Sequence, residues 1–349
     1  MKTKIFSLLC TIGLLVGSVS QAQNQQKPYW QDVDVVAVNK EYPRTSFMTF
    51  DNQSNALSKK FEDSKFYQSL NGTWKFYFVD GYKQLPDNIT DPSVSTKDWK
   101  DIKVPGNWEV QGFGTAIYTN HGYEFQPKNP QPPTLPEINP VGVYRRDMNV
   151  SADMLKRDVF LHIAGAKAGV YVYINGKEVG YSEDSKNPAE FKINDFVEAG
   201  NNTLVLKIFR WSTGSYLECQ DFWRISGIER DVYLWSQPKT HIRDFVVKSE
   251  LDATYTDGMF ALKTMIKNSE ATKSEVEVQY ELLDNAKKVI ATEKQIVTLE
   301  AGEEKDARFS KTIKNPLTWT SESPNLYSLV MTVKQNGVVT EVIPFTVGF

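Results

Sequence analysis

Apolar and polar residues alternate with a period of two along much of this chain. That is the spacing of a half-buried strand rather than of a helix. The clearest run is Glu275-Val-Glu-Val-Gln-Tyr-Glu-Leu282, in which every second side chain is apolar. In Val170-Tyr-Val-Tyr-Ile174, Val170, Val172 and Ile174 share one face and Tyr171 and Tyr173 the other. Asn175-Gly176 then offers the residue pair of a type I′ turn, and residues 177–181 return as the second arm of a hairpin. Further strands are expected at 70–78, entered through Asn71-Gly72, and at 158–163, 191–193, 203–209 and 231–235. A second set follows Gln237-Pro238, at 242–247, 259–266, 274–283, 287–297, 304–313, 325–334 and 338–347. Asn336-Gly337 joins the last two, and Trp319, between Pro316 and Pro324, marks a bend. Such a series over about 100 residues predicts an immunoglobulin-like sandwich, here without the cysteine pair of antibody domains.

Three stretches break the alternation. Residues 112–142 hold Pro127, Pro130, Pro132, Pro133, Pro136 and Pro140, which cannot donate to a ladder, so a loop is expected. Loops longer than about 15 residues inside a domain tend to be functional or disordered. Tyr118, Tyr123 and Phe125 predict an ordered one, packed on a surface. Residues 32–66 have few periodic apolar positions and read as an extended arm with one helical turn near 56–61. Residues 1–22 read as a secretory signal: Lys2 and Lys4, an apolar run over 5–16, then Ser20-Gln-Ala22 as a cleavage site. The apolar run falls short of the roughly 20 residues a membrane span needs. Cys10 lies inside it, so no lipoprotein anchor is expected. The protein is expected to be exported, to the periplasm or beyond, with an arm at 23–66, a first β unit at 67–238 and a second at 239–349.

Composition narrows the function. At 349 residues, with 40% hydrophobic and 24% charged positions, the chain suits two or three folded domains. A formal charge of −3, more acidic still once Lys2 and Lys4 leave, gives no basic footprint for nucleic acid. Loss of Cys10 leaves Cys219 alone, so the cores must hold without an intramolecular disulfide. No histidine or cysteine-enzyme signature surrounds Cys219, which speaks against a nucleophile. His121, His162 and His241 are scattered, without metal-ligand spacing. His162, alternating with Leu161 and Ile163, reads as a packed or surface residue. There is no phosphate loop and no Ser/His/Asp arrangement.

The chemistry concentrates in residues 210–232, Arg-Trp-Ser-Thr-Gly-Ser-Tyr-Leu-Glu-Cys-Gln-Asp-Phe-Trp-Arg-Ile-Ser-Gly-Ile-Glu-Arg-Asp-Val. A pyranose has an apolar face and a rim of hydroxyls, so aromatic rings beside hydrogen-bonding groups suit a sugar. Trp211 and the carboxylates Glu218 and Asp221 are candidates. Two carboxylates flanking a scissile bond would make a glycosidase, about 5 Å apart for retention and wider for inversion. The alternative is that they accept from loop amides or pair with Arg210 or Arg224. Asn107 and Trp108, in Val104-Pro-Gly-Asn-Trp108, form a second polar-aromatic turn. Asn107 can donate to and accept from sugar hydroxyls, or serve only as a turn former with Trp108 in the core.

Five segments resemble the N-terminal part of glycoside hydrolase family 2 β-galactosidases, in family order. They are Ser69-Leu-Asn-Gly-Thr-Trp-Lys-Phe76; Val104-Pro-Gly-Asn-Trp-Glu-Val-Gln-Gly-Phe113 with Ile117-Tyr-Thr-Asn120; Val179-Gly-Tyr-Ser-Glu-Asp-Ser185 leading to Ala189-Glu-Phe191; the 210–232 segment; and Thr346-Val-Gly-Phe349. The resemblance implies an all-β chain: a jelly-roll sugar-binding domain followed by an immunoglobulin-like sandwich. It implies that both catalytic glutamates of a retaining mechanism belong to a TIM barrel, which in the family follows the last segment. No catalytic residue is then expected in this chain. By resemblance Asn107 matches a family sugar ligand. Thr213 stands where the family keeps an aspartate touching the sugar 6-hydroxyl and a sodium ion, and Cys219 replaces another aspartate. No cofactor is expected here, with sodium and magnesium belonging to a full-length enzyme. The partners implied are a galactoside, the barrel and further copies of the protein. The competing class is a free-standing carbohydrate-binding protein.

Overall fold

A computed structural model describes residues 27–125 and 128–349. The signal-peptide reading and Pro127 lie outside these residues. The first unit is built on a seven-stranded sheet in the order Ala37–Val38, Lys177–Ser182, Gly169–Ile174, Gly200–Phe209, Val141–Val150, Gly72–Val79, Lys100–Val104. It faces a four-stranded sheet of Ala189–Lys192, Asp158–Ile163, Val232–Gln237 and Tyr67–Ser69. The second unit pairs a sheet of Thr240–Leu251, Gly258–Asn268 and Glu304–Ile313 with one of Val289–Leu299, Ser274–Leu283, Tyr327–Gln335 and Val338–Val347. Every ladder in these sheets is antiparallel. The chain is thus all-β, two stacked sandwiches, as its alternation requires. Among the described residues no helix is long and apolar enough to cross a membrane.

The two-faced reading of the Gly169–Ile174 strand holds. Val170, Val172 and Ile174 join Leu204, Leu206, Ile208, Leu161 and Leu234 between the sheets. Tyr171 lies on the opposite face with Val205 and Phe209. Asn175 and Gly176 take φ of 51° and 79°, the left-handed pair of the expected turn, and Asn336 and Gly337 repeat it at 52° and 78°.

Two strands of five residues or more in the seven-stranded sheet escape the alternation rule. Val141–Val150 lies near the centre of its sheet, pairing with Gly200–Phe209 on one side and Gly72–Val79 on the other. Its first four residues are buried on both faces, and Arg145, Arg146 and Asp147 then interrupt the pattern. The arginines tie down neighbouring loops: Arg145 donates to the Val94 carbonyl at 2.8 Å and Arg146 to those of Leu70 and Asn71 at 2.7 and 2.8 Å. The loop expected to reach residue 142 therefore ends earlier. Gly142 sits within the strand because a Cβ there would come within 2.6 Å of Trp108 and 2.7 Å of Phe76. Lys100–Val104 is the other, too short and charged for a clear periodic signal.

The arm also departs from expectation. Its helical turn is Gln53–Ala56, capped by the Asn52 side chain accepting from the Asn55 N–H at 2.9 Å. A separate 3₁₀ turn follows at Phe61–Asp63. Upstream, Trp30 is buried and stacks on Phe209 at 4.9 Å, and Ala37–Val38 forms an edge strand on Tyr181–Ser182. Downstream, Phe47, Met48 and Phe50 enter a core shared by Phe160, Tyr233 and Trp235 of the first unit and Ile242, Phe245 and Val342 of the second. The backbones of Phe50 and Val342 exchange hydrogen bonds of 2.8 and 2.9 Å. Arg44 makes two 3.0 Å hydrogen bonds to the Glu190 carboxylate, which also accepts from Trp235 and meets His162 Nδ1, both at 2.8 Å. His162 is thus packed, its ring stacked on Tyr233 at 4.5 Å.

Candidate functional site

Two short ladders gather the polar-aromatic segments. Gly106–Asn107, Gly227–Ile228 and Ala166–Lys167 form a small three-stranded sheet in which Asn107 pairs with Gly227. Phe222–Arg224 pairs with Ile117–Thr119, so part of the proline-rich loop is ordered strand. The Asn107 turn, the loop and the 210–232 segment are thereby brought together. The half-buried Asn107 donates from Nδ2 to the Ser226 carbonyl at 3.2 Å, and Ser226 N–H donates to Glu109 at 2.7 Å. Trp108 is fully buried, packed on Phe76 and Phe78 at ring distances of 6.2 and 5.8 Å. Of the two readings of this tryptophan, the core one fits; no ring face is left for a sugar.

Thr213 opens a 3₁₀ turn, Thr213–Tyr216, fixed by a reciprocal Ser212–Ser215 capping box. Its hydroxyl faces the buried Glu183 carboxylate at 3.1 and 3.2 Å. Gly214 N–H and Tyr181 Oη also donate to Glu183, at 2.6 and 2.7 Å. Burial pushes the Glu183 carboxyl above the ordinary range, an effect these donors oppose. Trp211, half-buried, donates from Nε1 to Glu124 at 3.0 Å and rests against Phe125.

Glu218 and Asp221 turn to different partners. Glu218 accepts from Ser185 N–H at 2.7 Å and from its hydroxyl at 2.6 Å. Asp221 is exposed and accepts from Tyr118 Oη at 2.9 Å. Glu218 thus serves as a loop acceptor, and neither carboxylate pairs with Arg210 or Arg224. Those arginines instead anchor a buried charge cluster. Arg210 reaches Glu109 at 3.5 Å and the carbonyls of Thr115 and Arg224 at 2.9 and 3.1 Å. Arg224 reaches Glu124 at 3.6 Å. Lys167 is buried nearby, and desolvation lowers its pKa below the usual lysine range. The Cys219 thiol lies 3.2 Å from the Ser215 carbonyl; burial, aided by Glu124, pushes it up to about 11. At neutral pH it is a protonated thiol.

Glu124, Lys167 and Glu183 were not singled out by sequence, because each acquires its role from a partner distant along the chain. Tyr118 and Trp223 are opposed in register, each 56% exposed, with rings 5.6 Å apart. The period-two signal of so short a ladder was hidden by the surrounding prolines and glycines. What the arrangement offers is a rigid lip: one amide side chain, an open aromatic pair and an exposed carboxylate on a charged, buried footing.

Two family models match the chain: glycosyl hydrolases family 2, sugar binding domain, over residues 67–238, and glycosyl hydrolases family 2 over residues 240–349. This chain belongs to glycoside hydrolase family 2. Among family members, a β-galactosidase of Priestia megaterium is 37% identical over 328 residues, covering 92% of this chain and 32% of that protein. A β-galactosidase of Halalkalibacterium halodurans is 35% identical over 322 residues, covering 91% and 31%. The chain spans about a third of the length of these relatives and corresponds to the N-terminal portion of such enzymes. The fold matches a Bacteroides uniformis β-glucuronidase with a TM-score of 0.67 at 21% identity, over 81% of this chain and 32% of that one. It matches a Bacteroides vulgatus β-glycosidase at 0.62 and 21%, over 81% and 34%.

The sodium implied by the family aspartate finds a poor donor set at position 213. Thr213 brings one hydroxyl, already directed at Glu183, and no carboxylate of its own. Among the described residues no group of three or more His, Cys, Asp or Glu side chains could hold a metal ion.

Proposed function

We propose that this chain is the non-catalytic N-terminal part of an exported β-galactosidase, and that it completes a galactoside pocket. In this reading Asn107 binds a sugar hydroxyl, and the catalytic glutamates of a retaining reaction belong to a barrel domain of the whole enzyme. The observation that carries it is identity to proteins named β-galactosidase along nine-tenths of the chain. The lip geometry supports it, since Asn107 and the open Tyr118–Trp223 pair offer contacts without a pair of catalytic carboxylates. Export is supported by the arrangement of residues 1–22 alone.

The test is a fusion that replaces the corresponding third of the Priestia megaterium enzyme with this chain. It is expected to hydrolyse aryl β-galactosides, with Asn107→Ala lowering kcat/KM at least tenfold, while the 349-residue chain alone shows no turnover. Turnover by the isolated chain that Glu218→Gln abolishes, or a folded fusion indifferent to Asn107→Ala, would refute the reading. Tight galactoside binding by the isolated chain would instead support a free-standing binding module.

A further inference from the structure

The seven-stranded sheet buries one face against its partner sheet, and its other face is aromatic: Tyr171, Tyr173 and Phe209 stand beside Val205. Two pieces of chain cover that face incompletely. Tyr29 and Trp30 of the arm close one side, Tyr29 stacked on Tyr171 at 5.6 Å. The loop from Tyr82 to Thr90 closes the other, Tyr82 meeting Trp30 edge-on at 5.2 Å. Between them lies a groove of about 580 Å³, inside the range of roughly 300–1,000 Å³ typical of small-ligand sites.

The groove carries polar groups of both signs. Lys207 projects from the sheet with its Nζ 4.7 Å from the Tyr171 ring centroid and 5.2 Å from that of Tyr173. Its only hydrogen bond among the described residues is a long one, 3.4 Å to Tyr173 Oη. An ammonium has three donors, so two remain for something in the groove. Burial pulls its pKa below the usual lysine range, with Glu178 opposing. Glu178 accepts from the same Tyr173 hydroxyl at 3.0 Å, and its carboxylate is otherwise exposed. A donor and an acceptor therefore flank one hydroxyl, beside the half-buried rings of Tyr29 and Tyr82. A second acid, Asp87, lines the rim.

We infer that this groove is an accessory binding site for a neutral pyranose sugar. One pyranose would lay its apolar face on the half-buried rings of Tyr29 and Tyr82 that line the groove, while adjacent hydroxyls accept from Lys207 and donate to Glu178. An anionic ligand would meet Glu178 and Asp87, and a cationic one Lys207; a polyol with an apolar face satisfies all three. The site shares no residue with the lip at Asn107 and Thr213, so it goes beyond the proposed function.

The test is calorimetric titration of the full chain with galactotetraose, cellotetraose and mannotetraose, in an Asn107→Ala background so that the lip does not contribute. Saturable binding of at least one is expected. Lys207→Met, which keeps the stem over the rings but removes the donors, should weaken it at least tenfold, and Glu178→Gln at least threefold. Unfolding midpoints close to that of the parent confirm that the variants fold. Failure of all three sugars to bind, or binding that both variants leave unchanged, overturns the inference. Loss of turnover in the Asn107→Ala fusion without loss of this binding would separate the two readings.

Discussion

Glu190 shows how a single side chain acquires meaning only in three dimensions. Burial alone would raise its carboxyl, but Arg44 and His162 overcome that and hold it at about 2, against an ordinary 4.5. A depressed carboxylate contributes stability that is present above the unfolded value and lost as pH falls toward the folded one. That difference corresponds to about 3 kcal/mol, present above about pH 5 and lost on the way to pH 2. Glu183 and Glu341, both raised by burial, act in the opposite sense: they favour the fold at low pH, and that contribution fades as pH rises past 4.5. The comparison of interest is therefore wild type against Glu190→Gln. The variant should lose roughly 3–5 kcal/mol near neutrality, since it strands buried Arg44, and the gap should narrow in acid; denaturant titrations at pH 7 and pH 3 measure both. Cys219, raised to about 11 from 9.0, should alkylate with iodoacetamide at pH 8 about a hundredfold more slowly than an unperturbed thiol. A rate near that of free cysteine would show that its surroundings are more open than described. Neither behaviour was legible in the sequence. Glu190 reads there as the middle of Ala-Glu-Phe, and Arg44 lies far upstream in the arm.

Among elements, the sequence announced strands that show water one face and the core the other. The runs 274–283, 304–313 and 338–347 coincide with the observed strands; the first alternates cleanly, which leaves little freedom of register. The Asn-Gly hairpins were equally legible, their turn chemistry being local. Val141–Val150 was hidden because a strand buried on both faces has no period, and because it carries Gly142 where a strand would ordinarily avoid glycine. Gly142→Ala would press a methyl into Trp108 and Phe76, and should cost roughly 1–3 kcal/mol by chemical denaturation. A neutral result would mean that the tryptophan can move aside. The candidate site was half legible by the same logic. Its residue types pointed to sugar chemistry, but the fate of each side chain depended on ladders of two or three residues that carry no periodic signal.

At the scale of the molecule, the core that joins the two units matters most. Phe47 of the arm sits between Trp235 of the first unit and Phe245 of the second, at ring distances of 6.0 and 5.7 Å. Both units should therefore melt as one cooperative transition in scanning calorimetry. Phe47→Ala should lower stability by roughly 3–5 kcal/mol and split that transition into two. A wild-type protein that already melts in two steps would show the junction to be weaker than its packing implies. The family pattern carried the architecture from sequence, whereas the arm's part in it was invisible, since three apolar residues without a period resemble a linker.

The Phe50–Val342 bridge has a consequence for how such a chain comes into being. Residue 342 leaves the ribosome long after residue 50, so the arm's partner does not yet exist while the first sandwich is being made. During that interval Phe47, Met48 and Phe50 have no permanent home, and the first sandwich must wait with part of its cover unfastened. Closure must await the second sandwich, and it links residues far apart along the chain. A chain left unlatched until then stays pliable while it is being made, and is open to chaperones for longer.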